Sequence, residues 1–163
     1  MNESSNGEML KVKEGLGGWL ILVGIGLCFS PIKIFAEFGI FKQIFSDGTW
    51  EALTLPSSEF YNPLFGVILC FEIIGNCVFF IAFISLIFLF FKKKQIFPKV
   101  YIITLLANFA FIVIDALFCK VVFPTEPIFD ADTTKNVLQQ AVACAIWIPY
   151  MIKSVRVKNT FVN

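Results

Sequence analysis

The sequence contains no histidine. That absence removes the usual general base near neutral pH and the commonest metal ligand together. Charge is scarce too. Only 15% of the 163 residues are charged, and one arginine, Arg156, stands beside twelve lysines. A soluble domain of this length needs a larger polar surface. Its five cysteines, Cys28, Cys70, Cys77, Cys119 and Cys144, form no CxxC pair and all fall in apolar runs. They read as small buried thiols rather than a disulfide framework. No P-loop, G-x-S-x-G or H-E-x-x-H motif occurs. Neither an enzyme, a cofactor, a metal centre nor a nucleic-acid partner is expected. The first residues are polar and mixed in charge, with no short apolar core and A-x-A site, so a cleaved signal peptide is not expected.

What the chain has instead is apolar length. Hydrophobic residues make up 58%, Phe alone contributes 21, and mean hydropathy is +0.81. The runs group into four predicted transmembrane helices, at about 16–37, 63–91, 98–123 and 134–152. Residues 1–14 read as a disordered tail, 15–153 as the membrane domain and 154–163 as a basic tail. Gly17-Gly18-Trp19 opens the first helix and Pro31 should kink it. Residues 38–62 read as a long loop on the headgroup region with room for a short surface helix. Asn62-Pro63 supplies a cap and a first-turn proline for the second helix. The last helix is the least apolar, opening with Asn136, Gln139 and Gln140, so the other three should shield it.

Basic residues set the orientation. Lys92, Lys93, Lys94, Lys99, Lys153, Arg156 and Lys158, with Lys11 and Lys13, fall at one end of the predicted spans. The positive-inside rule then gives an all-α integral membrane protein, a four-helix bundle with both termini cytoplasmic. The same residues read most simply as a topology signal and headgroup anchor, with a specific anionic-lipid site as the weaker alternative. The alternating basic and apolar residues of the last ten positions suggest a tail on the membrane surface.

Polar side chains also lie where lipid disfavours them. Taking about 1.5 Å of rise per residue, Lys33, Glu72, Asn76, Asp115 and Gln140 share a depth of roughly 18–28 Å from the cytoplasmic helix ends. Glu72 and Asn76 are four apart and share a helix face, as do Asn108 and Asp115, seven apart. Charges at such depth usually turn inward and find partners. One expectation is a buried cluster in which Lys33 pairs with Glu72 or Asp115, and Asn76 and Gln140 complete the hydrogen bonds. The other has Lys33 snorkelling beside Glu37, and Asp115 reaching toward Lys120. An inward cluster would serve either as structural glue or as a cavity for a proton, ion or small solute.

Several segments together carry a resemblance. They are Gly17-Gly18-Trp19-Leu20, Gly26 to Pro31, Phe97-Pro98, Ile146-Trp147-Ile148-Pro149-Tyr150 and Ser154 to Phe161. With these the chain resembles the bacterial inner-membrane family known as domain of unknown function 2569. The resemblance implies a four-helix protein of the bacterial inner membrane and assigns no activity. The residues favour a non-enzymatic accessory, scaffold or envelope role, in contact with the bilayer and with a second copy or a membrane-protein partner. The alternative is a transporter or channel subunit built on the polar band.

Overall fold

A computed structural model describes residues 14–125, 127–128, 130–163. Most of the polar N-terminal tail, with Lys11 and Lys13, lies outside them. Helix α1 runs Trp19–Ser46, α2 Thr49–Thr54, α3 Phe65–Phe91, α4 Phe97–Val122, α5 Ala131–Lys153 and α6 Val155–Thr160. Among the described residues three helices, α1, α3 and α4, are long and apolar enough to cross a membrane, and α5, where the fourth span was expected, is less apolar. Helix α1 packs on α3, α3 on α4 and α4 on α5.

Helix α1 is longer than the apolar run alone suggests. It passes Glu37 and stops only at Asp47-Gly48, where Gly48 adopts φ 84°. Nothing between these points breaks a helix, and Phe38 and Phe41 stack edge to face along it at 5.9 Å. The region expected to be one long loop therefore holds the last turns of α1 and the short α2. Trp50 of α2 packs tilted against Phe45 and Phe65. Asn62 accepts from the backbone N–H of Leu64 at 3.0 Å. Regular helix starts after it, at Phe65.

Between α3 and α4 the chain turns through a Schellman motif. The Lys94 N–H bonds the Leu89 carbonyl and the Lys93 N–H that of Phe90. This pattern places the residue just past the helix in the left-handed region, normally glycine. Here it is Lys93, at φ 52°.

The closing residues fold back onto this turn instead of trailing along a surface. Phe161 stacks on Phe97 with centroids 4.5 Å apart and lies 5.9 Å from Phe90. Val157, Thr160 and Phe161 are buried. Asn163 donates to the Lys93 carbonyl and accepts from the Gln95 N–H. Thr160 bonds the Gly15 carbonyl at 3.2 Å, tying the start of the described chain to its end. The Arg156 guanidinium lies over Gly17, where an added Cβ would come within 2.6 Å of it. Leu20, Leu86 and Phe97, fully buried, complete this end of the core.

Outward faces are apolar. Phe29, Phe35, Val67, Ile81 and Ile103 are each about two-thirds exposed. In water such a surface is unfavourable, and against acyl chains it is the expected one.

Candidate functional site

Residues of α1, α3, α4 and α5 line a cavity of about 590 Å³. Each helix gives it one face. Helix α1 contributes Gly26, Ser30, Lys33 and Glu37, spaced four, three and four apart. Helix α4 contributes Tyr101, Leu105, Asn108, Ile112, Asp115 and Cys119 with the same alternation of four and three. These spacings keep one stripe of a 3.6-residue helix turned inward. Helix α3 adds Glu72, Asn76 and Phe83.

Helix α5 explains its own low hydropathy. Thr133, Asn136, Gln140, Ala143 and Trp147 line the cavity. Leu138, Val142 and Ile146 point outward and are 60%, 55% and 46% exposed. The helix is polar inside and apolar outside. That arrangement suits an element with lipid on one side and a hydrated space on the other.

All six polar residues singled out from the sequence line this cavity: Lys33, Glu72, Asn76, Asn108, Asp115 and Gln140. Their partners differ from those expected. Among the described residues, no ion pair joins Lys33 to Glu72 or Asp115. The Lys33 ammonium donates to Asn136 Oδ1 at 3.4 Å. Gln140 donates to the Leu105 carbonyl at 3.2 Å, not to the acids. Lys120, expected to draw Asp115 outward, donates to the Pro124 carbonyl at 2.6 Å. Asp115 Oδ1 is buried and has no hydrogen-bond partner among the described residues. The helix rotations and side-chain reach that decide these pairings cannot be taken from depth alone.

Charge across the wall is unbalanced. Among the described residues of the wall, Glu37, Glu72, Asp115 and Asp130 face Lys33 and Lys120, four acids against two lysines. Glu37, Glu72 and Asp115 repel one another, and Lys33 attracts Glu37. Glu37 is the acid that depth reasoning set aside. Its signal was present, because it lies four residues after Lys33 on the inward stripe of α1. Asn136 carried the same kind of signal, four residues before Gln140.

The cavity is also graded along its length. Carboxylates and amides crowd the part nearest the start of α5. Leu27, Phe83, Tyr101, Leu105 and Trp147 line the part toward α6. Phe111 stands between them, seated on Gly75, where any Cβ would collide with its ring. At the polar mouth Asp130 caps α5, accepting from the Thr133 N–H at 2.7 Å. Hydrogen bonds from the Thr133 hydroxyl and N–H hold its pKa below the ordinary aspartate value. Among the described residues no group of three or more His, Cys, Asp and Glu side chains is placed to hold a metal ion.

The basic residues gather at the other end. Lys92, Lys93 and Lys94 form the α3–α4 turn, Lys99 follows in α4, and Lys153, Arg156 and Lys158 lie at the end of α5 and in α6. The Lys92 ammonium sits 5.9 Å from the centre of the Phe88 ring.

The model of a family described as "Protein of unknown function (DUF2569)" matches residues 13–162. The chain is also similar to the inner membrane protein YdgK of Escherichia coli (strain K12), 38% identical over 74 residues. That match covers 45% of this chain and 46% of YdgK, so the similar region spans under half of either protein. No solved structure matches. The chain belongs to the DUF2569 family.

Proposed function

We propose that this DUF2569 family member is a non-enzymatic protein of the bacterial inner membrane that holds a positively charged solute in the cavity between α1, α3, α4 and α5, as a transporter or channel subunit. One observation carries the reading. The polar stripes of four helices meet on a single cavity wall that carries, among the described residues, four acids against two lysines. A scaffold needs no such space, since burying charge without partners is costly. Helix α5 is the fourth span, its apolar face toward lipid. Both termini are cytoplasmic, which puts the basic end on the side that the positive-inside rule favours. The basic turn and α6 then meet anionic headgroups. Four helices are few for a complete path, so translocation requires a second copy or a partner.

Uptake of radiolabelled tetraethylammonium into proteoliposomes under an inside-negative potential tests the reading. Tetraethylammonium, permanently charged and slow to cross lipid, should enter faster than into empty liposomes. Asp115→Asn should abolish the difference. A wild-type rate equal to that of empty liposomes would count against transport and favour an accessory role.

A further inference from the structure

The cavity has two chemistries, and the further inference rests on the cationic reading above. Its acids occupy one part of the wall, while Phe83, Tyr101 and Trp147 occupy the other. A small hydrated cation would use only the first. The aromatic part borders the cavity with rings, and aromatic rings both attract a cation and pack against apolar surface. A volume of about 590 Å³ lies within the range of sites that enclose drug-sized organic molecules, roughly 300–1,000 Å³. Asp115 Oδ1, buried and without a hydrogen-bond partner among the described residues, adds a further acceptor.

The flank between α1 and α5 points the same way. These helices do not pack closely on each other as the successive pairs do. Side chains bridge them at two levels. Trp19 meets Trp147 edge to face at 6.1 Å, and Lys33 meets Asn136 at 3.4 Å. On α1 the two levels are fourteen residues apart, about 21 Å at 1.5 Å per residue. Gly26 and Ser30 of α1 and Ala143 of α5 border the cavity between them, and their short side chains narrow this flank little. It faces the same surroundings as Phe29 and Val142, both more than half exposed. A ligand with an apolar body can reach the cavity there without crossing the charged mouth.

We infer that the ligand is a monovalent organic cation with a bulky apolar body, its charge among Glu37, Glu72 and Asp115 and its body against Phe83, Tyr101 and Trp147. Equilibrium dialysis of tetraphenylphosphonium against the full chain in lipid nanodiscs tests this. Tetraphenylborate, of the same shape and opposite charge, and tetraethylammonium, of the same charge without aromatic bulk, are run beside it. The expected result is saturable tetraphenylphosphonium binding at one site per chain, at least tenfold tighter than tetraethylammonium, with no saturable tetraphenylborate binding. Glu72→Gln with Asp115→Asn should weaken it at least tenfold. Trp147→Leu should weaken tetraphenylphosphonium and leave tetraethylammonium unchanged, a split that general loosening of the fold would not give. If tetraphenylphosphonium binds no more tightly than tetraethylammonium, the apolar body is wrong and the cationic reading stands. If tetraphenylborate binds as tightly as tetraphenylphosphonium, the site selects bulk rather than charge, and both readings fall.

Discussion

Lys33 reaches across the bundle to Asn136 at 3.4 Å and, among the described residues, forms no ion pair with Glu72 or Asp115. The Lys33 ammonium, at the depth of these acids, thus bridges α1 to α5 and does not neutralise them. Lys33→Met removes one positive charge from the wall while keeping the length of the side chain. Binding of an organic cation should tighten by about threefold or more, since roughly 1.4 kcal/mol corresponds to tenfold. A weak polar contact is lost, so stability should fall by no more than about 1 kcal/mol. Dialysis and thermal unfolding in nanodiscs measure the two. Weaker cation binding by a folded Lys33→Met protein would show that the ammonium does not oppose the ligand.

Phe111 depends on Gly75 having no side chain. Gly75→Val should force the ring off α3 and cost about 1–3 kcal/mol through overpacking. Gly26 lines the same cavity and has open space where a Cβ would stand. Gly26→Ala should stay within about 1 kcal/mol of wild type. Thermal unfolding of the two variants side by side checks the contrast, and equal costs would contradict the close packing at Gly75.

The folded-back end is tested at Phe161, 3% exposed between Phe90 and Phe97. Phe161→Ala should cost about 3–5 kcal/mol, as for other buried rings. It should also release α6, seen as protease cleavage after Lys153 or Arg156 in a folded bundle. An unchanged digest would mean that backbone bonds at Asn163 hold the segment alone.

These results show why the sequence disclosed the helices better than their closure. The bounds of α3 and α4 follow from long apolar runs ended by Lys92 and Pro124, signals that need no tertiary information. The shared wall of Lys33, Glu72, Asn76, Asn108, Asp115 and Gln140 followed from depth and helical spacing, which are properties of single helices. The Lys33–Asn136 contact depends on how α1 and α5 are rotated, a property of the assembled bundle. The segment after Lys153 misled for a related reason. Its alternating Val155, Arg156, Val157 and Lys158 suit a membrane surface, and only the pocket beside Phe97 makes Phe161 a buried anchor.

Asp130 gives an acid-dependent signal at the cavity mouth. The Thr133 hydroxyl and N–H hold its pKa below the ordinary aspartate value. A depressed folded-state pKa means that the cap's contribution is complete above the unfolded value and is lost as pH falls through the folded one. Amides in the first turn of α5 should exchange faster as pH drops from the ordinary aspartate range downward, after correction for intrinsic rates. Asp130→Asn keeps a capping oxygen that does not titrate, so its exchange should lose that pH dependence. Identical pH profiles for wild type and Asp130→Asn would contradict the cap.

The most direct measurement uses a native thiol. Cys119, expected from its apolar run to be a buried thiol, is exposed on the cavity wall one turn beyond Asp115, because apolar faces of these helices point outward and not into a core. With Cys28, Cys70, Cys77 and Cys144 replaced by alanine, the remaining thiol reports on the cavity from within. Membrane vesicles are treated with a cationic and an anionic methanethiosulfonate of similar size, and the modification rates are compared. A water-filled, acid-walled cavity should admit the cationic reagent at least about tenfold faster, with the preference reduced by Glu72→Gln and Asp115→Asn. Equal rates for the two reagents, or no modification by either, would contradict a cation-selecting cavity.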